Sequence, residues 1–237
     1  MSRVLAIGDQ HEPVCHPGYL SFCKDLYAKF DCDAVVMLGD IADFTAISFH
    51  KAHPECPGPK DEAELTKLAI AKWHRAFPKA TVTIGNHDER VIRIAEDNAI
   101  PKMFLRNHAE VWNTPDWIWK YDETIDEVYY FHGTGNGGKY PAANVRDKVL
   151  MSTVMGHNHA RAGVNWKANP FKRIFGMDAG CGIDVRAYQF AYGKHIKERP
   201  ILAAGVVIDG MPQHFVMPCG RREKYHRSKF KKRKRRK

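Results

Sequence analysis

Aspartate, histidine and asparagine recur along the chain in five short clusters able to bind metal ions or move protons: Gly8-Asp9-Gln10-His11, Gly39-Asp40-Ile41-Ala42-Asp43, Gly85-Asn86-His87-Asp88, His132-Gly133 and Gly156-His157-Asn158-His159. Carboxylate, imidazole and amide oxygen are the ligands that first-row divalent ions favour. Residues two apart on an extended segment point the same way, so Asp9 and His11 can share one ion. The same spacing lets His157 and His159 reach one ion or two adjacent ones. Asp40 has two oxygens and can bridge a pair of ions, Asp43 can orient a neighbouring group, and Asn86 adds a neutral oxygen. Taken singly, each cluster reads as a turn or a hydrogen-bonded surface histidine. Five in order, each ending a strand-like run, specify a two-metal hydrolytic site.

For these residues to meet, the intervening elements must return the chain to one edge. Runs 3–7, 34–38 and 81–84 are short, apolar or β-branched, and stop at Gly or Gly-Asp, while 19–30, 63–77 and 89–98 show helical spacing. That alternation predicts a mostly parallel sheet with covering helices, whose strands end on a common crest. The second half differs. Segments 117–121, 124–131, 151–155, 163–166, 173–177, 201–208 and 213–217 are strand-like, with turn signals such as Asp209-Gly210, and predict a second, more antiparallel sheet packed on the first. Segment 50–61, broken by Pro54, Pro57, Gly58 and Pro59, predicts a loop that can wall the site, with His50 and His53 in reach of a phosphate. Trp112, Trp117 and Trp119 can stack on bases, but Trp117 and Trp119 share one strand face and are expected to pack in the sheet.

At 237 residues the chain predicts one domain over 1–220. No apolar run approaches the ~18 residues of a membrane span, and MSRVLAIGD leads directly into a strand, so the expected setting is cytoplasmic and away from membranes. Residues 221–237 hold 12 Lys/Arg and one Glu, which leaves 25 basic and 26 acidic side chains in the other 220. All the excess positive charge therefore sits in this segment, which predicts a basic disordered tail that tethers nucleic acid. The six cysteines show no C-x-x-C pair and are expected as free thiols, Cys15 included.

With D-x-H at Asp9, G-D-x-x-D at Gly39, G-N-H-D at Gly85, an isolated His132 and G-H-x-H at Gly156, the chain resembles the calcineurin-like metallophosphoesterases. The resemblance implies an α/β fold, a four-layer αββα sandwich of two mixed sheets flanked by helices. It implies one ion on Asp9, His11, Asp40 and His159 and a second on Asp40, Asn86, His132 and His157. In that family the histidine of G-N-H-D contacts substrate and assists the leaving group, which points to His87, with Asp43 as its partner. Asp43 is followed by Phe44, and the third motif ends in Asp88 where the phosphoprotein phosphatases have Glu, so the likeness is to the nuclease and nucleotide-hydrolase branches.

Gly133 to Lys139 also fits the G-x-x-x-x-G-K skeleton of a P-loop, but Tyr140 stands where Ser/Thr should hold magnesium and Pro141 follows. Its glycines and Lys139 can still approach a substrate phosphate, as can Arg90 and Arg161, each just after a cluster. The combined expectation is hydrolysis of phosphodiester bonds by a hydroxide bridging two divalent ions, with DNA or RNA as substrate. Manganese suits an oxygen/nitrogen site, with iron, zinc, nickel, cobalt and magnesium as alternatives. A nucleotide or cyclic-nucleotide phosphodiesterase, and a nucleic-acid-binding module with a structural metal site, are the competing expectations.

Overall fold

Strand β1 (Arg3–Ile7) is apolar at four consecutive positions because both of its faces are covered: Val4 and Ala6 enter one core, Leu5 and Ile7 another. β2 (Ala34–Met37) repeats the pattern, with Val36 on the first side and Val35 and Met37 on the second. The structure, a computed structural model, describes residues 2–49, 53–184, 186–187 and 198–218. The basic segment 221–237 and His50 lie outside the described residues.

Two sheets form. The first has the order β11-β10-β1-β2-β3-β4, adding β3 (Ala80–Thr83), β4 (Trp117–Lys120), β10 (Ala203–Ile208) and β11 (Met211–Val216). Strands β1 to β4 run parallel, and β10 and β11 are antiparallel additions. The second has the order β5-β6-β7-β9-β8, from β5 (Asp122–Ile125), β6 (Val128–Phe131), β7 (Ser152–Met155), β8 (Gly163–Ala168) and β9 (Arg173–Asp178). Its centre β6-β7-β9 is parallel and both edges are antiparallel.

The inner faces meet through Val4, Val36, Leu38, Tyr130, Val154, Phe175 and Met177. Outside the first sheet lie α1 (Tyr19–Lys29), α2 (Pro59–Ala76) and α4 (His108–Trp112), held by Cys23, Leu26, Ile70, Trp73 and Trp112. Outside the second lies α5 (Pro141–Val149), packed through Ala142 and Val145 on Met155 and Phe131. The layers are αββα, as the resemblance implies. No helix among the described residues is long and apolar enough to cross a membrane.

Three details differ from the sequence reading. Helix α2 begins inside the expected loop, because Pro59 occupies the first helical turn, where its missing N–H costs nothing, and Asp61 and Glu62 sit at the positive end of the helix dipole. Segment 124–131 is two strands of a hairpin, split at Asp126-Glu127, whose φ values of 48° and 60° make a tight turn without glycine. Helix α4 was unforeseen; its start is a capping box, with Asn107 accepting from the Glu110 N–H and Glu110 accepting from the Asn107 N–H. As expected, Trp117 is core, its indole N–H donating to the Phe77 carbonyl at 2.9 Å.

Candidate metal centre

All five clusters arrive at one crest. Asp9, Asp40 and Asn86 follow β1, β2 and β3, and His132 and His157 follow β6 and β7, so both sheets deliver donors to the same end of the sandwich. Beyond the strand ends the backbones remain bonded: His11 N–H donates to the Asp40 carbonyl at 2.9 Å, Gly156 N–H to the His132 carbonyl at 3.0 Å, and Gly182 N–H to the Asp9 carbonyl at 2.7 Å. The last contact closes the site from behind with the small residues 178–182. A Cβ on Gly85 would strike an Asp40 carboxylate oxygen and one on Gly156 an Asp9 oxygen, so glycine before the ligand lets the strands approach. His11, Asp40 and His157 themselves adopt left-handed φ of 52°, 48° and 66°. Such angles are costly for residues with a Cβ and turn each side chain out of the strand line.

The donor atoms form two connected groups. Asp9, His11, Asp40 and His159 bring one ligand atom each to within 4.8 Å of one another, and so do Asp40, His132 and His157. Asp9 Oδ2 lies 3.0 Å from His159 Nε2, which faces His11 Nε2 at 3.1 Å. Asp40 Oδ2 lies 3.6 Å from His11 Nε2 and 3.3 Å from His132 Nε2, between the two groups. Asn86 Oδ1 and His157 Nδ1 complete the second group, 3.1 and 3.2 Å from His132 Nε2.

The hydrogen bonds behind these atoms fix which nitrogen faces inward. His132 Nδ1 donates to the Leu38 carbonyl at 2.7 Å, and His11 Nδ1 donates to Asp43 Oδ1 at 2.8 Å. Each ring therefore presents Nε2 to the pocket, as a metal-binding imidazole does. Neutral nitrogens and oxygens facing one another this closely repel unless a cation or a proton sits between them. The seven donors thus fit a pair of divalent ions.

Electrostatics agree. Burial raises the Asp40 carboxyl, but His132, His87 and His11 outweigh it and hold Asp40 well below the usual carboxylate range. Burial lowers the His132 imidazole, yet Asp40, Asp9 and the Leu38 carbonyl raise it to about 10. Protons thus take the place that cations would fill.

Asp43 stands differently from expectation. Its carboxylate is closer to His11 Nδ1, at 2.8 Å, than to His87 Nδ1, at 3.6 Å, and it also accepts from the Thr45 hydroxyl. His87 Nδ1 donates instead to the Asp43 main-chain carbonyl at 2.6 Å, with Nε2 4.0 Å from Asp40 Oδ2. Asp43 therefore orients His11 through its side chain and His87 through its backbone.

Of the expected phosphate contacts, Arg90 is turned away. It is 8% exposed, and its Nη1 donates to the Asp43 and Phe44 carbonyls at 2.9 and 2.7 Å, bracing the second cluster. Arg161 pairs with Glu198 at 2.8 Å, Lys139 lies 5.1 Å above the Tyr140 ring, and the His53 ring accepts from the Glu55 N–H at 3.2 Å. None of these three joins the donor groups. At the P-loop skeleton Tyr140 is the N-cap of α5 and Pro141 occupies its first turn, so no Ser or Thr hydroxyl follows Lys139, and Ala142 N–H donates to Asp178 Oδ1 at 3.3 Å.

Asp88 is a residue that motif reading left without a role. Buried, it accepts from the Ile41 and Ala42 N–H groups at 3.0 and 3.3 Å and from Gly85 N–H at 3.0 Å, which ties the second cluster to the third. Burial and the neighbouring Asp40 push its carboxyl up to about 7.

Solved structures similar to this chain include a phosphoesterase, a Vps29 and a nuclease. The E. coli phosphoesterase Yfce is 17% identical over 87% of this chain and 88% of that one, with a TM-score of 0.40. Vps29 from Cryptosporidium parvum is 12% identical over 91% and 96%, with a TM-score of 0.45, and the Pseudomonas putida nuclease MPE is 14% identical over 90% and 86%, with a TM-score of 0.37. No curated protein matches the sequence significantly. The family described as calcineurin-like phosphoesterase matches residues 2–179, a span that contains every donor named above. The chain belongs to the calcineurin-like phosphoesterase family.

Proposed function

We propose that the chain is a two-metal phosphodiesterase whose substrate is nucleic acid. The observation that carries this reading is the meeting of Asp9, His11, Asp40, Asn86, His132, His157 and His159 at one crest, with Asp40 between two groups. Two divalent ions held there, manganese by preference, would supply Lewis-acid activation of water and neutralise charge at phosphorus.

The chain's own residues do the rest. Asp43 and the Leu38 carbonyl hold His11 and His132 in the tautomer that binds through Nε2. Asp9 accepts from the His157 N–H at 2.9 Å, which fixes the G-H-x-H loop. His87, held through Nδ1, turns Nε2 to the pocket side, and burial lowers its imidazole to about 4, so it meets substrate there as a neutral ring that positions and accepts a hydrogen bond. Phosphodiester hydrolysis needs roughly 10¹⁷-fold acceleration, about 23 kcal/mol, whereas one imidazole contributes ~10² to 10⁴-fold. The donor groups must therefore dominate, with His87 subsidiary.

Bis-p-nitrophenyl phosphate with manganese tests the enzyme: turnover abolished by chelator and by Asp40→Asn supports it. Retained oligonucleotide binding with no turnover would leave a nucleic-acid binder with a structural metal site. The nucleic-acid assignment draws on the charge of residues 221–237. If about six of those charges neutralise duplex phosphates, log K against log salt should slope near −5, and truncation after Gly220 should flatten the slope. An unchanged slope would reject the tether.

A further inference from the structure

Along the crest of the first sheet, Asp9, Asp40 and Asn86 mark the ends of β1, β2 and β3, and β4 is the next strand out. Beside β4, against α3 (Arg90–Asp97) and α4, lies a cavity of about 360 Å³, lined by none of the metal donors. Its size falls within the range of small-molecule sites. Ile84, one wall, directly precedes Gly85-Asn86. Two further walls are bonded to the residues after His87: His108 Nε2 donates to the Asp88 carbonyl at 3.2 Å, and the Tyr121 hydroxyl donates to Glu89 Oε1 at 2.8 Å. The cavity therefore adjoins the segment that carries the third cluster.

The lining is aromatic and cationic. Trp119 and His108 are stacked, with centroids 4.8 Å apart and planes 12° from parallel, and Tyr121 is 60% exposed beside them. Lys102 and Arg106 supply two exposed positive charges, while Glu89 and Glu96 lie near the Tyr121 hydroxyl, so an anion belongs on the lysine and arginine side. Flat rings beside paired cations are what single-stranded nucleic acid binds. We infer that this cavity is a nucleobase subsite, taking a base of the substrate strand against the exposed Tyr121 ring and the edges of the stacked Trp119–His108 pair, with an adjoining phosphate neutralised by Lys102 and Arg106. The inference rests on the phosphodiesterase reading and deepens it: the substrate is recognised as an unpaired strand.

The test uses the full chain with a single-stranded oligonucleotide and with bis-p-nitrophenyl phosphate. Tyr121→Ala combined with Lys102→Ala and Arg106→Ala should lower kcat/KM on the oligonucleotide about tenfold or more and leave bis-p-nitrophenyl phosphate turnover within about twofold. Tyr121→Phe, which keeps the ring, should retain oligonucleotide turnover. In chelator, fluorescence anisotropy with one base replaced by an abasic site should show about tenfold weaker binding for the parent chain and no further loss for the triple variant. Unchanged oligonucleotide kinetics, or an abasic penalty that persists in the variant, would overturn the subsite. The exposed Met103 and Phe104 beside it would then mark a protein-docking face. A mononucleotide competing as well as the oligonucleotide would assign the cavity to free nucleotides. A parent chain inert toward bis-p-nitrophenyl phosphate would instead sink the phosphodiesterase reading, while the abasic measurement still judges the cavity.

Discussion

The space between the sheets and the crest at their ends are built from the same strands and obey opposite rules. Leu38 packs among Val36, Tyr130 and Phe175, and two residues later Asp40 sits among five imidazoles; on β6 the change from Tyr130 to His132 likewise takes two residues. The inner region is lined mainly by apolar side chains, and the buried Tyr130 hydroxyl has no hydrogen-bond partner among the described residues. The crest is buried and polar, with its donors pressed together. The difference teaches that the strands act as rulers: apolar packing fixes where they end, and the ends set the spacing of donors that would otherwise repel.

The sharpest way to break this division is Asp40→Asn, which should cut phosphodiester turnover by more than about 10³-fold, beyond what loss of His87 costs, and leave the fold standing. Steady-state kinetics and circular dichroism of both variants check it. Phe175→Ala should do the reverse, costing about 3 to 5 kcal/mol by denaturant unfolding and leaving metal affinity nearly unchanged. Ion at 100 times its dissociation constant should add about 2.7 kcal/mol, read as a higher melting temperature that chelator removes. Protein shown to be metal-free that melts at the same temperature with and without added ion would refute ligation by these residues.

A last effect is a pH dependence. His132 is raised from 6.5 to about 10, so its charged form stabilises the metal-free fold fully below pH 6.5 and progressively less as pH climbs toward 10. Metal-free protein should therefore lose melting temperature across that interval, and His132→Gln should flatten the loss.

Much of the crest was legible because chemistry restricts which side chains can serve as donors: the clusters from Asp9 to His159 announce themselves by type and spacing. Their supports were harder to read. Asp88 works by accepting backbone N–H groups, which leaves no pattern in the sequence, and Arg90 looked like a phosphate clamp until the carbonyls of Asp43 and Phe44 were seen to hold it. The start of α2 at Pro59 was readable from Gly58-Pro59 and the acids after it, but clustered prolines favoured a loop. The Asp126-Glu127 turn carried no glycine or asparagine to mark it.

The left-handed backbone at His11, Asp40 and His157 has a consequence for anyone reshaping this protein. Glycine would relax each of these positions and remove the donor in the same stroke, so comfort and chemistry compete for a single codon. Searches for a hardier variant should be drawn to these three places, and every success there should come out inert.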